Sequence, residues 1–288
     1  MAAFKFRRRP RGWRGARLAR RKQMLSTDVD LHGEHPRRAR SRGVYLLPNS
    51  FTTAALFCGF YAVVQAMNVR FETAAIAIFV AMVLDGMDGR VARMTNTQSA
   101  FGEQFDSLAD MVSFGVAPAL VIYEWVLKDL GRWGWLAAFI YCSGAALRLA
   151  RFNTNVGVVD KRFFQGLASP AAAGLCMSFV WTMQDLQIEG AWLCFFTPIL
   201  AIVAGLLMVS RVRYFSFKAW PRGDRVPFGW IVLAVLIVVA LVLDPATVLL
   251  IIAVLYVFSG PVMTLWGLRS RSSRRRVRAQ NRQAPPQE

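Results

Sequence analysis

Soft metal ligands are scarce in this chain. It has only two histidines, His32 and His35, and its four cysteines form no C-x-x-C pair. This scarcity argues against a zinc site, which is usually built from these two residue types. All four cysteines fall in apolar stretches, where small core residues are expected.

Acidic residues are also few, 17 against 35 lysines and arginines, which gives a formal net charge of +18. The basic residues gather at the ends of the chain, with 14 in residues 1–43 and seven in residues 269–288. Two readings of these tails stay open: solvated segments that fix topology, and adhesion to anionic lipid headgroups. No folded nucleic-acid reader accompanies the charge, so no nucleic-acid partner is expected.

Between the tails the chain consists largely of apolar stretches of about 20 residues, the length that crosses a ~30 Å hydrocarbon core. They predict an all-α, polytopic membrane helix bundle. We expect eight spans, near residues 50–68, 71–90, 101–126, 132–151, 168–185, 189–209, 227–243 and 246–267.

Basic residues in the loops predict the orientation of this bundle. With eight spans both termini share one side, whose loops hold eleven lysines and arginines against three on the other side. Because basic loops stay in the cytoplasm, both termini are expected there. A bacterial inner membrane is the simplest setting for this asymmetry.

Four aspartates lie within 26 residues, inside or against the second and third predicted spans: Asp85, Asp88, Asp106 and Asp110. A carboxylate in a bilayer is costly unless it meets a cation or water. The first two are three residues apart and the last two are four apart, so each pair shares one face of a helix. The aspartates therefore predict a functional site at the cytoplasmic end of two neighbouring helices.

The segment between the two pairs, residues 94–100, is polar and poor in helix formers. It predicts a short turn between antiparallel helices, with Thr97 or Ser99 as the cap of the second. Four carboxylates would then converge. Oxygen ligands without histidine or cysteine favour Mg²⁺ or Mn²⁺, and four acids suit two ions, an arrangement that recurs in phosphoryl chemistry.

Residues 85–110 follow one long pattern: Asp85-x-x-Asp88-Gly89-x-x-Ala92-Arg93, eight further residues, then Gly102-x-x-x-Asp106-x-x-x-Asp110. This pattern resembles the signature of the CDP-alcohol phosphotransferase family at every defined position. The resemblance implies a membrane fold with a six-helix catalytic core, here residues 44–210. Residues 211–268 would add a cytoplasmic loop and two helices, between basic tails at residues 1–43 and 269–288, the first of them expected to be disordered.

The same resemblance implies a role for each residue of the motif. Asp85, Asp88 and Asp106 would be metal ligands, and Asp110 would be both a ligand and the general base. A CDP moiety would be accommodated by Gly89, Arg93 and Gly102. A homodimer is also implied.

Several patches resemble the phosphatidylserine synthase branch of that family: LPN at 47–49, DSLADMVSFGVAPA at 106–119, LRLARFN at 147–153 and FFQGLASPAAAG at 163–174. One departure is Ala168, where a proline is expected. The branch implies CDP-diacylglycerol and L-serine as substrates. Both would meet at the cytoplasmic surface of the lipid bilayer, where the basic tails would contact anionic lipids.

The carboxylate of serine requires a cation. Arg148 and Arg151, three residues apart at the end of the fourth predicted span, are candidates. Arg148 is the better one because it lies deeper in the apolar run, and snorkelling or positive-inside anchoring is the alternative for both. Lys161 and Arg162 have the same two interpretations. Asn153, Ser113 and Gln165 are candidate hydrogen-bonding partners, with helix-end or packing roles as the alternative.

Three other functions remain open from the sequence. A transferase of the same family would use choline, glycerol 3-phosphate or inositol phosphate. A cation-coupled transporter would use intramembrane acids to relay ions. A membrane anchor with recruiting tails would leave four intramembrane carboxylates without a purpose.

Overall fold

A computed structural model describes residues 46–95, 99–154, 163–215 and 228–283, with the side chains of residues 48–95, 99–154, 166–212, 214 and 228–264. The amino-terminal tail with His32 and His35 lies outside the described residues, as does Thr97. So do several loop cations and the carboxy-terminal side chains: Lys161, Arg162, Lys218, Arg222, Arg225 and residues 269–288.

The described chain is almost entirely helical, which confirms the predicted fold class. Eight helical rods stand where the apolar stretches predict them, and the third is built from three consecutive segments. The helices are α1 Leu46–Met67, α2 Phe71–Thr95, α3 Ala100–Asp110, a π-helix Met111–Val116, α4 Ala117–Trp125, a 3₁₀ turn Leu127–Leu130, α5 Arg132–Thr154, α6 Ser169–Asp185, α7 Ala191–Val209, α8 Phe228–Leu243 and α9 Pro245–Gln283.

Among the described helices, four are long and apolar enough to cross a membrane: Pro48–Met67, Ala100–Trp125, Ala191–Val209 and Pro245–Thr264. The helix α8 is apolar but shorter. The rods α2 and α5 carry charged residues near their ends, and α6 has 17 residues. The chain is thus a polytopic helical membrane protein, and the count of eight spans stays a prediction.

The helix α6 lies at the centre of the bundle. Residues 172–180 are all buried, and α2 and α9 both pack against this helix. On the other side of α2, a seam of buried alanines joins it to α1, including Ala55, Ala62, Ala74 and Ala81. Small side chains let helix backbones approach closely, and van der Waals contact then stabilises the pair.

The closest crossing joins α5 and α7 at two glycines. A Cβ atom at Gly144 would lie 2.5 Å from the carbonyl oxygen of Gly205, and one at Gly205 would lie 2.9 Å from the carbonyl oxygen of Ile140. Neither position has room for a larger side chain. The crossing fixes α5, whose far end carries Arg148 and Arg151, against the rest of the bundle.

The π-helix in the third rod has a local cause. Pro118 cannot donate to the carbonyl of Phe114, four residues earlier, and its ring crowds that carbonyl. The turn widens, so that Ala117 N–H donates to the carbonyl of Val112. The fully buried Tyr141 of α5 donates its hydroxyl to the Phe114 carbonyl at 3.0 Å, which satisfies the orphaned acceptor. Such insertions are frequent at functional sites, and this one begins directly after Asp110.

A two-stranded sheet, which the sequence analysis did not anticipate, joins two loops. Strands β1 Phe163–Gln165 and β2 Arg213–Phe215 pair antiparallel, with Phe164 opposite Tyr214. Directly after β1, Gly166 adopts a φ of +83°, and a Cβ there would fall 2.3 Å from the Met208 carbonyl oxygen. Only glycine suits that turn.

Candidate metal centre

The four aspartates of the motif lie together between α2 and the third rod. Because the two helices run antiparallel, the acids pair in reverse order. Oxygen atoms of Asp85, Asp88 and Asp106 lie within 4.8 Å of one another. The carboxyl of Asp110 lies within hydrogen-bonding reach of Asp85, as Asp88 does of Asp106. The spacing in the sequence predicted this convergence.

Helix α1 holds one side of the cluster. The hydroxyl of Thr52 donates to Asp88 Oδ2 at 2.8 Å, and both residues are buried. One turn earlier, the side chain of Asn49 lies beside Gly102. The LPN patch at 47–49 therefore belongs to the site. Thr52 was missed in the sequence analysis, although its position one turn after Pro48 on the same helix was a signal for it.

The cluster has the chemical features of a cation site. Asp106 Oδ1 is buried and has no hydrogen-bond partner among the described residues. Four carboxylates crowded together at partial burial repel one another and lose hydration, which is costly unless positive charge offsets it. An oxygen-only donor set with an unpaired buried oxygen fits a hard divalent cation.

The third rod begins with a side-chain cap. Ser99 is extended, and its Oγ accepts a hydrogen bond from the backbone N–H of Gly102 at 3.0 Å. The prediction of a cap at Thr97 or Ser99 is thus confirmed for Ser99. A Cβ at Gly102 would sit 3.1 Å from that Oγ and 3.4 Å from Asn49 Oδ1. Glycine therefore also keeps the cap and α1 close to the start of the rod.

Gly89 contrasts with Gly102, because a Cβ built at Gly89 would meet no described atom within 4 Å. The backbone next to Asp88 is therefore open on this side. Arg93, one turn further, is exposed and donates from Nε to the Gly89 carbonyl at 2.8 Å. A guanidinium beside an open backbone next to four acids offers a fork suited to phosphate oxygens.

Arg148 approaches the cluster from α5. One of its Nη groups donates to Ser169 Oγ at 3.1 Å, while its Nε is buried without a partner among the described residues. Its charge interacts with that of Asp110. A half-buried cation that faces the acids and keeps an unused donor differs from a snorkelling anchor, whose head group lies in water.

The other predicted substrate contacts are engaged within the protein. Arg151 donates to the Val209 carbonyl at 2.8 Å, and Asn153 pairs with Ser107 at 3.2 Å. Ser113 is buried and donates to the Ala55 carbonyl at 3.1 Å. Ser113 thus joins the π-helix to α1, where Gly59 leaves space for it. The strand β1 contains Gln165, whose side chain lies outside the described part.

Comparisons with known proteins extend this picture. The model of the CDP-alcohol phosphatidyltransferase family matches residues 45–210. A CDP-diacylglycerol–serine O-phosphatidyltransferase of Helicobacter pylori (strain 26695) is 40% identical over 176 residues, 61% of this chain and 74% of that protein. Proteins of the same name are 30% identical in Mycobacterium bovis, over 78% of this chain and 80% of that protein, and 33% identical in Bacillus subtilis, over 60% and 91%.

Proposed function

The chain belongs to the CDP-alcohol phosphatidyltransferase family, and we propose that it transfers the phosphatidyl group of CDP-diacylglycerol to L-serine, releasing phosphatidylserine and CMP. The observation that carries the proposal is the cluster of Asp85, Asp88, Asp106 and Asp110 beside an open glycine and a half-buried arginine. Relatives named for this reaction, 30–40% identical over most of their length, support the choice of substrates.

The four aspartates would hold Mg²⁺ or Mn²⁺, and their number suits two ions. When bound, such ions neutralise the diphosphate and the charge that develops on the leaving CMP. The unpaired oxygen of Asp106 supports this role. Thr52 would orient Asp88 from behind through its hydrogen bond, in the way that outer-sphere groups fix ligands.

Asp110 is the proposed general base as well as a ligand. Its carboxylate would take the proton of the serine hydroxyl, and the serine oxygen would attack the phosphorus that carries diacylglycerol. The bond from that phosphorus to the CMP oxygen then breaks, and CMP leaves with the electron pair. Asp110 is suited to this role by its position, because it is the aspartate of the cluster whose charge interacts with the guanidinium of Arg148.

The CDP moiety would lie over Gly89 and Gly102, with Arg93 on its phosphate oxygens. The open space at Gly89 supports this placement. Arg148 would bind the serine carboxylate through the donor that the protein leaves unused. We assign Arg151, Asn153 and Ser113 to holding α5 and the π-helix in place, because their polar groups already have partners.

The proposal also covers the membrane location and the orientation of the protein. The lipid tails stay in the bilayer while the chemistry takes place at the cytoplasmic end of the bundle, in a bacterial inner membrane, with both termini in the cytoplasm. The core would be residues 44–210, working as a homodimer, and the basic tails would contact anionic lipids.

The test is CMP release by the purified protein from CDP-diacylglycerol, with Mg²⁺ or Mn²⁺, with and without L-serine. We expect serine-dependent release that falls by about 10²- to 10⁴-fold in Asp110→Asn, the range for loss of a general base. Asp129→Asn is the matched control, since Asp129 is exposed on the 3₁₀ turn and should leave release unchanged.

Other results would revise the proposal in defined ways. Release with glycerol 3-phosphate, choline or inositol phosphate but not with serine would keep the family and reject the acceptor. Release that persists in Asp110→Asn would reject the base. No release with any of these alcohols, from folded protein that binds the cation, would reject the activity itself.

A further inference from the structure

Tyr214 is a fully buried tyrosine outside the region that the family model matches. It lies in β2, and its ring packs on that of Tyr256 in α9 at a centroid distance of 5.6 Å. A Cβ at Gly260 would fall 2.4 Å from the Tyr214 ring. Gly260 thus forms the notch in α9 into which the Tyr214 ring fits.

The hydroxyl of Tyr214 also has a specific acceptor. Pro261 has no N–H, so it leaves the carbonyl of Val257, four residues earlier in α9, without its helical donor. Tyr214 donates its hydroxyl to this carbonyl at 3.3 Å. The same device joins Tyr141 to Phe114 at Pro118. The contact between β2 and α9 is therefore defined by shape and by a hydrogen bond.

From β2 a short series of contacts leads to the acid cluster. Beyond the paired strands, Gly166 N–H donates to the Val212 carbonyl at 2.8 Å and Leu167 N–H donates to the Leu207 carbonyl at 3.0 Å. Two residues further, Ser169 accepts the hydrogen bond from Arg148 at 3.1 Å. Tyr256 also lies close enough to Arg148 for the guanidinium charge to act on its hydroxyl.

We propose that α9 is a positioning element for the amino-acid acceptor: through the Tyr214–Gly260 notch it holds residues 163–169, and through Ser169 it holds the guanidinium of Arg148. Tyr214 and Gly260 are positioning residues, not catalytic ones. The proposal rests on the role proposed above for Arg148. It assigns a task in acceptor binding to a helix beyond the six-helix core.

The first experiment compares Gly260→Ala with Gly229→Ala. An added methyl at Gly260 must displace the Tyr214 ring, whereas at Gly229, in α8, it would meet no described atom within 4 Å. We expect Gly260→Ala to raise the KM for serine about tenfold, within the 10²-fold that a misplacement of about 1 Å can cost, with little change in the KM for CDP-diacylglycerol. Gly229→Ala should change neither constant. Equal changes in both KM values would overturn the proposal.

A double-mutant cycle tests whether the effect passes through Arg148. Arg148→Ala should itself lower kcat/KM for serine, and in that background Gly260→Ala should have almost no further effect, because coupled residues are not additive. An undiminished effect of Gly260→Ala without Arg148 would overturn the proposal. Tyr214→Phe, which keeps the ring and loses the hydroxyl, should give a smaller change of the same kind.

Hydrogen exchange separates this proposal from the proposed function. In ligand-free protein, Gly260→Ala should speed exchange at the amides of Gly166 and Leu167, and Gly229→Ala should not. If the wild-type protein releases no CMP with serine, the acceptor assignment fails while the exchange result still reports on the contact between α9 and residues 163–169. Unchanged exchange in Gly260→Ala would overturn the positioning role in either case.

Discussion

The acid cluster and the crossing of α5 with α7 differ in how tightly they are packed and in how completely their polar atoms are paired. Around the cluster, Gly89 faces open space and Asp106 Oδ1 is buried without a partner among the described residues. At the crossing, Gly144 has no room for a methyl group. Tyr141, three residues before it, donates its hydroxyl to a carbonyl that has lost its helical donor.

This difference separates a region whose buried polar groups are paired within the protein from one that we propose to bind a ligand. A buried polar atom without a partner reduces stability. Such an atom is therefore expected where a bound group supplies the missing partner. Functional sites commonly carry such a cost while the surrounding frame is well packed. Substitutions in the two regions should therefore separate activity from stability.

The largest effect is expected for Asp106→Asn in the cluster. Loss of one carboxylate should lower metal-dependent CMP release by about 10²-fold or more, because removing even an outer-sphere partner of a metal ligand costs about 10- to 100-fold. The same change should raise the Tm of metal-free protein, because it relieves repulsion among four acids, by roughly 2–4 °C for each 1 kcal/mol gained.

Thermal unfolding with a chelator and then with Mg²⁺ checks the stability half of that prediction. Mg²⁺ should raise the Tm of the wild-type protein more than that of Asp106→Asn. Asp129→Asn, an exposed acid far along the chain from the cluster, is the control and should respond as the wild type does. A lower Tm for metal-free Asp106→Asn would mean that the cluster is held by contacts within the protein.

The next largest effect is expected at the crossing of α5 with α7. Gly144→Ala should destabilise the fold by about 1–3 kcal/mol, the usual result of overpacking a close contact, because its Cβ would lie 2.5 Å from the Gly205 carbonyl oxygen. At saturating serine, the fraction that folds should keep its kcat, because none of the four aspartates lies on α5 or α7. Denaturant unfolding beside an activity assay normalised to folded protein measures both. Unchanged stability would show that the crossing can relax by a helix shift.

The sequence predicted the acid cluster better than it predicted the contacts between helices. The three- and four-residue spacings of the aspartates define helix faces, so local geometry was enough to bring Asp85, Asp88, Asp106 and Asp110 together. The cap at Ser99 is local as well. The positions of the eight helices followed from apolar length, although four of the described helices meet the requirements for a membrane span.

The missed features all depend on contacts between distant parts of the chain. The π-helix needs Pro118, which is visible in the sequence, and also the hydroxyl of Tyr141 from another helix. The strands β1 and β2 are three residues each and are separated by two helices. Periodicity cannot identify so short a pairing, and the proposed role of α9 depends on it.

A smaller effect, confined to binding, is expected at Gly89. Gly89→Ala adds a methyl group where no described atom lies within 4 Å, so the Tm should stay within a degree or two. If CDP lies over this backbone, the KM for CDP-diacylglycerol should rise about tenfold, which corresponds to a loss of about 1.4 kcal/mol of binding, while the KM for serine changes little. An unchanged donor KM would place the nucleotide elsewhere.

The smallest effect is expected at Asp244. Unlike Asp106, whose Oδ1 has no partner among the described residues, this carboxylate has its hydrogen-bond donor within the protein. It precedes Pro245, the first residue of α9, and its Oδ1 accepts from the backbone N–H of Thr247 at 3.0 Å. These hydrogen bonds to Thr247 hold the pKa of Asp244 below its ordinary value. Asp244→Ala should therefore lower the Tm slightly at neutral pH, through loss of a helix cap.

The sign of the pH dependence follows from that lowered pKa. The stabilisation by Asp244 is fully present above the pKa of the unfolded chain, about 3.9, and is lost as pH falls through the lower pKa of the folded state. The difference in Tm between wild type and Asp244→Ala should thus shrink at acid pH. It should be the same with and without Mg²⁺, whereas the effect of Asp106→Asn should depend on the cation. If the effect of Asp244→Ala on the Tm depended on Mg²⁺, the cation would also bind outside the cluster. The distinction between acids that need a cation and acids that the protein itself pairs would then fail.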